Sequence, residues 1–339
     1  MAVDNPHNNH KIVFFGTPDF AIPTLKKLLL AQDILVLAVV TQPDKPVGRK
    51  QILTAPPVKD LALEFGIKIY QPEKLNLDIG LIQDLKNMSP DFIITCAYGQ
   101  IIKSEILNIA PVINLHASLL PDYRGPAPIN WSIIHGETVI GVSSMLSDVG
   151  VDTGDVLLQA KVELDNIKNA EQVSNELSEL GSDLILQTIR DFKNLVPKKQ
   201  KQDFTEKTLA PFMDKNLGLI DFQAYELNLK SANPKQIEFL VKKKNSALNI
   251  HNLVRGTYPW PGAYFMRGED KVILLETKAH AEDSGLKPGV IVSFSQEGSI
   301  KVQTQEGILE IISLKPQGKM AQRASDWLNG QRLKRGDLV

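Results

Sequence analysis

The sequence predicts an α/β protein in two parts: a parallel-sheet, Rossmann-like domain followed by a small OB-like β-barrel. Three observations carry that reading. Short apolar runs alternate with helical patterns from Lys11 to about Phe192, short strand-like runs separated by glycine and charged turns fill the last seventy or so residues, and 339 residues are enough for two cores.

The alternation is regular. KIVFFG precedes FAIPTLKKLLL, ILVLAVVTQ precedes VKDLALEFG, IKIY precedes IGLIQDLKNM, DFIITCAYG precedes SEILNIA, and VINLHAS follows. Strand and helix in turn imply a parallel sheet covered on both faces, with ligands at the carboxyl ends of the strands. Val173, Leu177, Leu180, Leu184 and Phe192 recur at helical spacing and predict a helix that closes this domain. NLVPKKQKQDF then reads as a linker. KVILLET, GVIVSF, SIKVQTQ and GILEIISL are the strands of the barrel. The expected division is a loose tail over 1–10, a catalytic domain over 11–195, a linker over 196–216 and the barrel domain over 217–339.

Composition narrows the class. With 43% hydrophobic and 23% charged residues, and no apolar run of bilayer length, the chain reads as soluble and cytoplasmic, with no membrane partner, and a monomer is expected. MAVDNPHNNH lacks the basic start and apolar stretch of a signal peptide. Cys96, the single cysteine, lies in an apolar run and reads as a buried thiol. The net charge of −1 conceals an asymmetry: residues 241–339 hold 15 Lys and Arg against 10 Asp and Glu, the remainder 23 against 29. A basic end points mildly to a polyanionic partner.

Chemistry-bearing residues cluster at two places. Asn114 and His116 stand two apart on one strand, so both project from the same face near its carboxyl end. An amide and an imidazole side by side can donate to an oxygen that gains charge in acyl transfer; ordinary strand-end hydrogen bonding would use the same residues. Asp152, within GVDTG, has glycines that permit a tight loop and could take the proton lost by an attacking amine; a plain turn is the alternative. The first strand ends in Gly16-Thr17-Pro18-Asp19, where proline replaces the second glycine of a dinucleotide fingerprint, which argues against NAD. No His, Cys or Asp grouping has metal-ligand spacing, so no metal is expected. The loop from Thr41 to Pro57 is long for a strand-to-helix connection, and its Lys45, Arg49 and Lys50 are either solvated charge or a means of reaching past the sheet edge.

Asn114, His116, Ser118-Leu119-Leu120-Pro121, Tyr123-Arg124-Gly125 and Asp152 together resemble the signature of the folate-dependent formyltransferases. GTPDFA (16–21), TQPDKPVGR (41–49), AYGQII (97–102), RGPAPI (124–129) and YPWPGA (258–263) extend the resemblance over nearly the whole chain, toward those members that formylate the methionine of initiator methionyl-tRNA. The resemblance implies 10-formyltetrahydrofolate as co-substrate, Asn114 and His116 holding the formyl oxygen, and Asp152 assisting proton transfer. It also implies that Tyr98, Gly99, Gln100 and Ile101, with Ser118, Leu119, Leu120 and Pro121, line the folate pocket. Lys45, Arg49 and Lys50 would meet the tRNA acceptor end, although Gln51 and Ile52 stand where many relatives carry lysine. Residues 223–245 read as an insertion beside that pattern. A formyltransferase acting on a sugar or ribonucleotide, a formyl-folate hydrolase and a non-enzymatic RNA-binding protein remain the alternatives.

Overall fold

The computed structural model describes residues 10–48, 50–200, 209–227, 243–295 and 297–339. They divide into two compact units: residues up to 124 with 141–162 and 174–203, and residues 125–140 and 163–173 with those from 204 onward.

The first unit is built on β1 (His10–Gly16), β2 (Ile34–Val40), β3 (Lys45–Val47), β4 (Ile52–Thr54), β5 (Ile69–Tyr70), β6 (Phe92–Cys96), β7 (Val112–His116), β8 (Val139–Leu146) and β9 (Val156–Glu163). Seven of these form one sheet in the order β5-β2-β1-β6-β7-β8-β9, while β3 and β4 pair apart from it as a hairpin. From β5 to β7 the pairing is parallel, as the alternation predicts. Ile12, Val13, Phe14 and Phe15 of β1 and Ile93, Ile94 and Cys96 of β6 are fully buried, which is why these runs are continuously apolar instead of alternating. Gly16 lies where a Cβ would come within 2.6 Å of Phe14 and 3.1 Å of the Cys96 carbonyl, so the strand ends can approach only without a side chain.

The sheet departs from a wholly parallel one at its far side. β8 runs antiparallel to β7, with Ser143 opposite His116 and Leu146 opposite Ile113. The loop after Leu146 therefore starts beside the amino end of β7 and must fold back to reach the Asn114–His116 face.

Helix α1 (Ile22–Leu30), α2 (Pro57–Glu64), α3 (Ile79–Met88), α4 (Ser104–Leu107), α5 (Pro128–His135) and α6 (Ala170–Asp191) follow their strands. On α6, Val173, Leu177, Leu184, Ile185 and Ile189 are buried. A Cβ on Gly181 would meet Leu115 at 2.6 Å, so this helix lies close upon β7. Leu115 thus faces α6, and the strand pleat turns its neighbours Asn114 and His116 to the other side.

In the second unit, β10 (Tyr264–Arg267), β11 (Asp270–His280), β12 (Ile291–Phe294), β13 (Ile300–Gln303) and β14 (Ile308–Pro316) pair antiparallel in the order β10-β11-β14-β13-β12, and β15 (Gln322–Arg323) pairs β14. Of these, β11 to β14 are the strands read from the sequence, while β10 and β15 are seen only in the structure. Bulges near Glu276 bend the eleven-residue β11. Phe265 stacks edge-on with Phe222 and with Trp327 of the C-terminal helix Ala324–Gln331, which covers the sheet.

Segment 125–140 groups with this unit for a visible reason. Trp131 of α5 is fully buried and its Nε1 donates to the Pro211 carbonyl at 2.8 Å, while Asn130 donates to the Gly256 carbonyl at 2.8 Å. Segment 163–173 is held likewise: Arg255 donates to the carbonyls of Asp165 and Lys168, and the His251 ring sits between Thr277 Oγ1 and the Asn166 carbonyl. His280 of β11 pairs with Glu310 of β14 at 2.7 Å. No helix among the described residues is long and apolar enough to cross a membrane. Residues 1–9, Arg49 and most of the 223–245 stretch lie outside the described residues.

Candidate active site

Three side chains expected to act together meet on one face of β7. Asn114 Nδ2 lies 3.3 Å from Asp152 Oδ1, and His116 Nδ1 lies 3.5 Å from Asp152 Oδ2. Their neighbours fix their orientations. Thr95, paired with Asn114 across β6 and β7, donates its hydroxyl to Asn114 Oδ1 at 2.8 Å. An ionised carboxylate only accepts, so the amide nitrogen is the atom facing Asp152, and one of its two protons stays available. His116 Nε2 is 2.8 Å from the Tyr123 carbonyl. A carbonyl also only accepts, so Nε2 bears a proton and Nδ1 is the nitrogen turned toward the site. Nδ1 donates there only when the ring carries both protons.

His116 is 6% exposed and the Asp152 side chain 16%, so each retains limited access while bulk water is largely held off. Partial burial strengthens the pull between a developing oxyanion and fixed donors. Sequence reasoning missed Thr95. Its signal was a single hydroxyl in the otherwise apolar FIITC, on the strand next to Asn114. Cys96 is fully buried, and burial pushes its thiol up to about 12, which suits a structural residue. Among the described residues no group of His, Cys, Asp and Glu is arranged to hold a metal ion. A depression of about 520 Å³ lined by Lys86, Pro90, Glu105 and Asn108 lies where the chain enters β6 and β7, at the opposite strand ends from His116.

Residues 10–189 match the family described as formyl transferase, and residues 235–332 match the formyl transferase C-terminal domain. The methionyl-tRNA formyltransferase of Thermodesulfovibrio yellowstonii is 41% identical over 329 residues, covering 96% of this chain and 97% of that one. The chain belongs to the methionyl-tRNA formyltransferase family. The Clostridium perfringens (strain 13) member is likewise 41% identical, over 97% of this chain and 99% of its own. Among solved structures, the N-formyltransferase from Helicobacter canadensis, in complex with folinic acid and dTDP-3-aminofucose, shares the fold with a TM-score of 0.60 at 17% identity, covering 89% of this chain and 98% of that one.

The other residues expected from methionyl-tRNA formyltransferase resemblance fall into two groups. Tyr98 to Ile101 follow β6 in a loop bent by left-handed Ala97 and Gly99. The Tyr98 ring is buried edge-on against Phe15, and burial holds its phenol well above the usual tyrosine range. Its carbonyl accepts from Thr17 Oγ1 at 3.0 Å and Gln42 Nε2 at 3.3 Å. Gln100 is committed to the Leu75 amide and the Pro72 carbonyl, leaving Gly99 and Ile101 exposed. In the Ser118–Pro121 run, the Ser143 hydroxyl bonds the Ser118 carbonyl and the Leu120 amide, and Gln159 donates to the Leu120 carbonyl. Leu120 packs with Met145 and Val156, and Pro121 is exposed.

Lys45 and Lys50 are exposed on the β3–β4 hairpin, whose Val47, Ile52 and Leu53 also face outward. Arg49 lies outside the described residues. The base of the hairpin is fixed: Asp44 pairs with Lys59 at 2.8 Å and accepts from Gln71 at 2.7 Å. Those two partners hold the Asp44 carboxyl below the usual range, Gln71 contributing most.

Proposed function

We propose that this chain transfers the formyl group of 10-formyltetrahydrofolate to the amino group of methionine on initiator methionyl-tRNA. The observation that carries the reading is the convergence of an amide, an imidazole and a carboxylate on one face of β7, the amide oriented by Thr95 and the imidazole by the Tyr123 carbonyl. Kinship with chains named methionyl-tRNA formyltransferase supports the acceptor, and the folinic acid held by the Helicobacter canadensis N-formyltransferase supports a folate donor.

In this mechanism the methionyl nitrogen attacks the formyl carbon, and a new C–N bond forms as the carbonyl oxygen takes up negative charge. Asn114 Nδ2 donates to that oxygen, as does His116 Nδ1 with the ring carrying both protons. Asp152, directly or through water, removes the proton that the attacking nitrogen must lose. Collapse then restores the carbonyl and breaks the bond to the folate nitrogen, which leaves with a proton. Tyr98, Gly99, Gln100 and Ile101 with Ser118, Leu119, Leu120 and Pro121 are assigned to the folate side. Because the Ser118 and Leu120 backbone groups are engaged internally, their part is to hold the shape of the wall. Lys45, Arg49 and Lys50 are assigned to tRNA phosphates, which position the acceptor end without reading its sequence.

The test is formylation of initiator against elongator methionyl-tRNA with 10-formyltetrahydrofolate as donor. Rapid, tRNA-dependent product on the initiator species is expected. Folate turnover that ignores tRNA would favour a hydrolase, and absence of turnover would leave a binding protein.

A further inference from the structure

The loop carrying Asp152 is held in an unfavourable shape by groups that the reaction itself does not use. Asp152 has φ 53°, in the left-handed region where an L side chain crowds its own backbone. At Gly154 a Cβ would lie 1.8 Å from the Leu146 carbonyl oxygen, so the loop is pressed against the end of β8. Asp148 Oδ1 braces the loop from within, accepting from the Gly150 amide at 2.9 Å and from Thr153 Oγ1 at 2.7 Å.

Gln200 braces it from outside. Its Nε2 donates to the carbonyls of Asp152 at 3.1 Å and Gly154 at 2.6 Å. Its Oε1 accepts from Arg124 Nε at 3.2 Å and Nη2 at 2.9 Å. Gln200 is 9% exposed and Arg124 2%, so these bonds are sheltered from competing water. The segment bearing Gln200 is itself anchored, because Lys198 and Val156 exchange two backbone bonds of 2.8 and 2.9 Å. Arg124 directly follows Tyr123, whose carbonyl orients the His116 ring. A continuous path of bonds thus runs from the back of His116, through Arg124 and Gln200, to the backbone of Asp152.

The geometry points to Gln200 and Arg124 as positioning residues, a clamp that sets where the Asp152 carboxylate stands relative to Asn114 and His116; this rests on the formyl-transfer reading of that site. The carboxamide is the group the place requires. One end must donate to two carbonyls and the other must accept from a guanidinium, and only an amide of this length does both. Burial weakens the Arg124 guanidinium's hold on its proton, while the carboxylates of Asp152, Asp148 and Asp122 strengthen it. Glutamate at 200 would keep the size and the pairing with Arg124, but would aim lone pairs at two carbonyl oxygens.

The experiment measures kcat, and KM for both substrates, on the full-length protein carrying Gln200→Glu, Gln200→Leu or Arg124→Lys, each alone and combined with Asp152→Asn. Misplacing a catalytic group by about 1 Å can cost on the order of 100-fold, so the Gln200 variants are expected to lose roughly 10- to 100-fold in kcat with both KM values within about threefold. If they act through Asp152, adding them to Asp152→Asn should cost less than about threefold more, since residues working as a unit are not additive. Full additivity, a change confined to KM, or wild-type kcat would each overturn the clamp. Should Gln200→Leu fail to fold, the isosteric Gln200→Glu carries the test. Loss of turnover in Asp152→Asn with normal Gln200 variants removes only the clamp, whereas normal turnover in Asp152→Asn removes the site reading and the clamp with it.

Discussion

Replacing Asn114 by alanine separates transition-state stabilisation from folding, because the structure fixes what the amide does in each. In the resting protein it accepts from Thr95 at 2.8 Å and donates to Asp152 at 3.3 Å. Losing the first bond strands a buried hydroxyl and the second is long, so the stability cost should be about 1–2 kcal/mol. A domain stable by roughly 5–15 kcal/mol survives that. In the transition state the amide is one of two oxyanion donors, and deleting one such donor costs on the order of 10² to 10³ in rate, about 2.7–4 kcal/mol. Asn114→Ala should therefore lower kcat by roughly that factor, with folate KM changed only a few-fold and a modest fall in melting temperature. Thr95→Val grades the argument: it keeps the amide but removes the bond that orients it, so a loss of about tenfold is expected. Steady-state formylation at saturating folate and tRNA, with a thermal melt of each variant, measures both quantities. A kcat for Asn114→Ala within threefold of the parent would remove the amide from the mechanism. A larger loss for Thr95→Val than for Asn114→Ala would assign the chemistry to the hydroxyl.

Four further outcomes are expected. A fragment ending after Gln200 should be poorly soluble and melt early, because α5 would lose the Pro211 and Gly256 carbonyls that Trp131 and Asn130 bond; a cooperative melt near that of the full chain would contradict this. Burial holds the His251 imidazole below the usual histidine range, so the unfolded chain binds its proton more readily. Its contribution to stability is thus present above an ordinary histidine value of about 6.5 and is lost as pH falls toward the lower folded value; His251→Gln should flatten the melting temperature between roughly pH 7.5 and 5.5, and an unchanged slope would exclude this histidine as its cause. Formylation should be insensitive to EDTA, and loss of activity restored by zinc or another ion would reverse the expectation of a metal-free reaction. Finally, KM for methionyl-tRNA should rise with salt, and a Lys45→Ala/Lys50→Ala variant should lower that slope; an unchanged slope would take the hairpin out of phosphate contact.

The sequence by itself determined β1, β2, β5, β6 and β7 of the first sheet, β11 to β14 of the second, the closing helix and the placing of Asn114 and His116 on one strand face. All of these rest on local periodicity: a period of two fixes which residues share a strand face, and a helical period marks the buried side of α6. Motif resemblance, which needs no geometry, reached Asp152 and the family. Other features needed the tertiary structure because they depend on residues distant in sequence. The reversal of β8 is one, since an apolar strand reads the same in either direction, and it decides that the Asp152 loop must fold back from the amino end of β7. Thr95 acquires its role only because β6 lies beside β7 in a register that sets it opposite Asn114. The place of α5 with the second unit depends on Trp131 finding the Pro211 carbonyl eighty residues on. Gln200 stood in a stretch read as linker, where nothing local distinguishes it; its meaning comes from the bridge between Lys198 and Val156 that carries its amide to the backbone of Asp152.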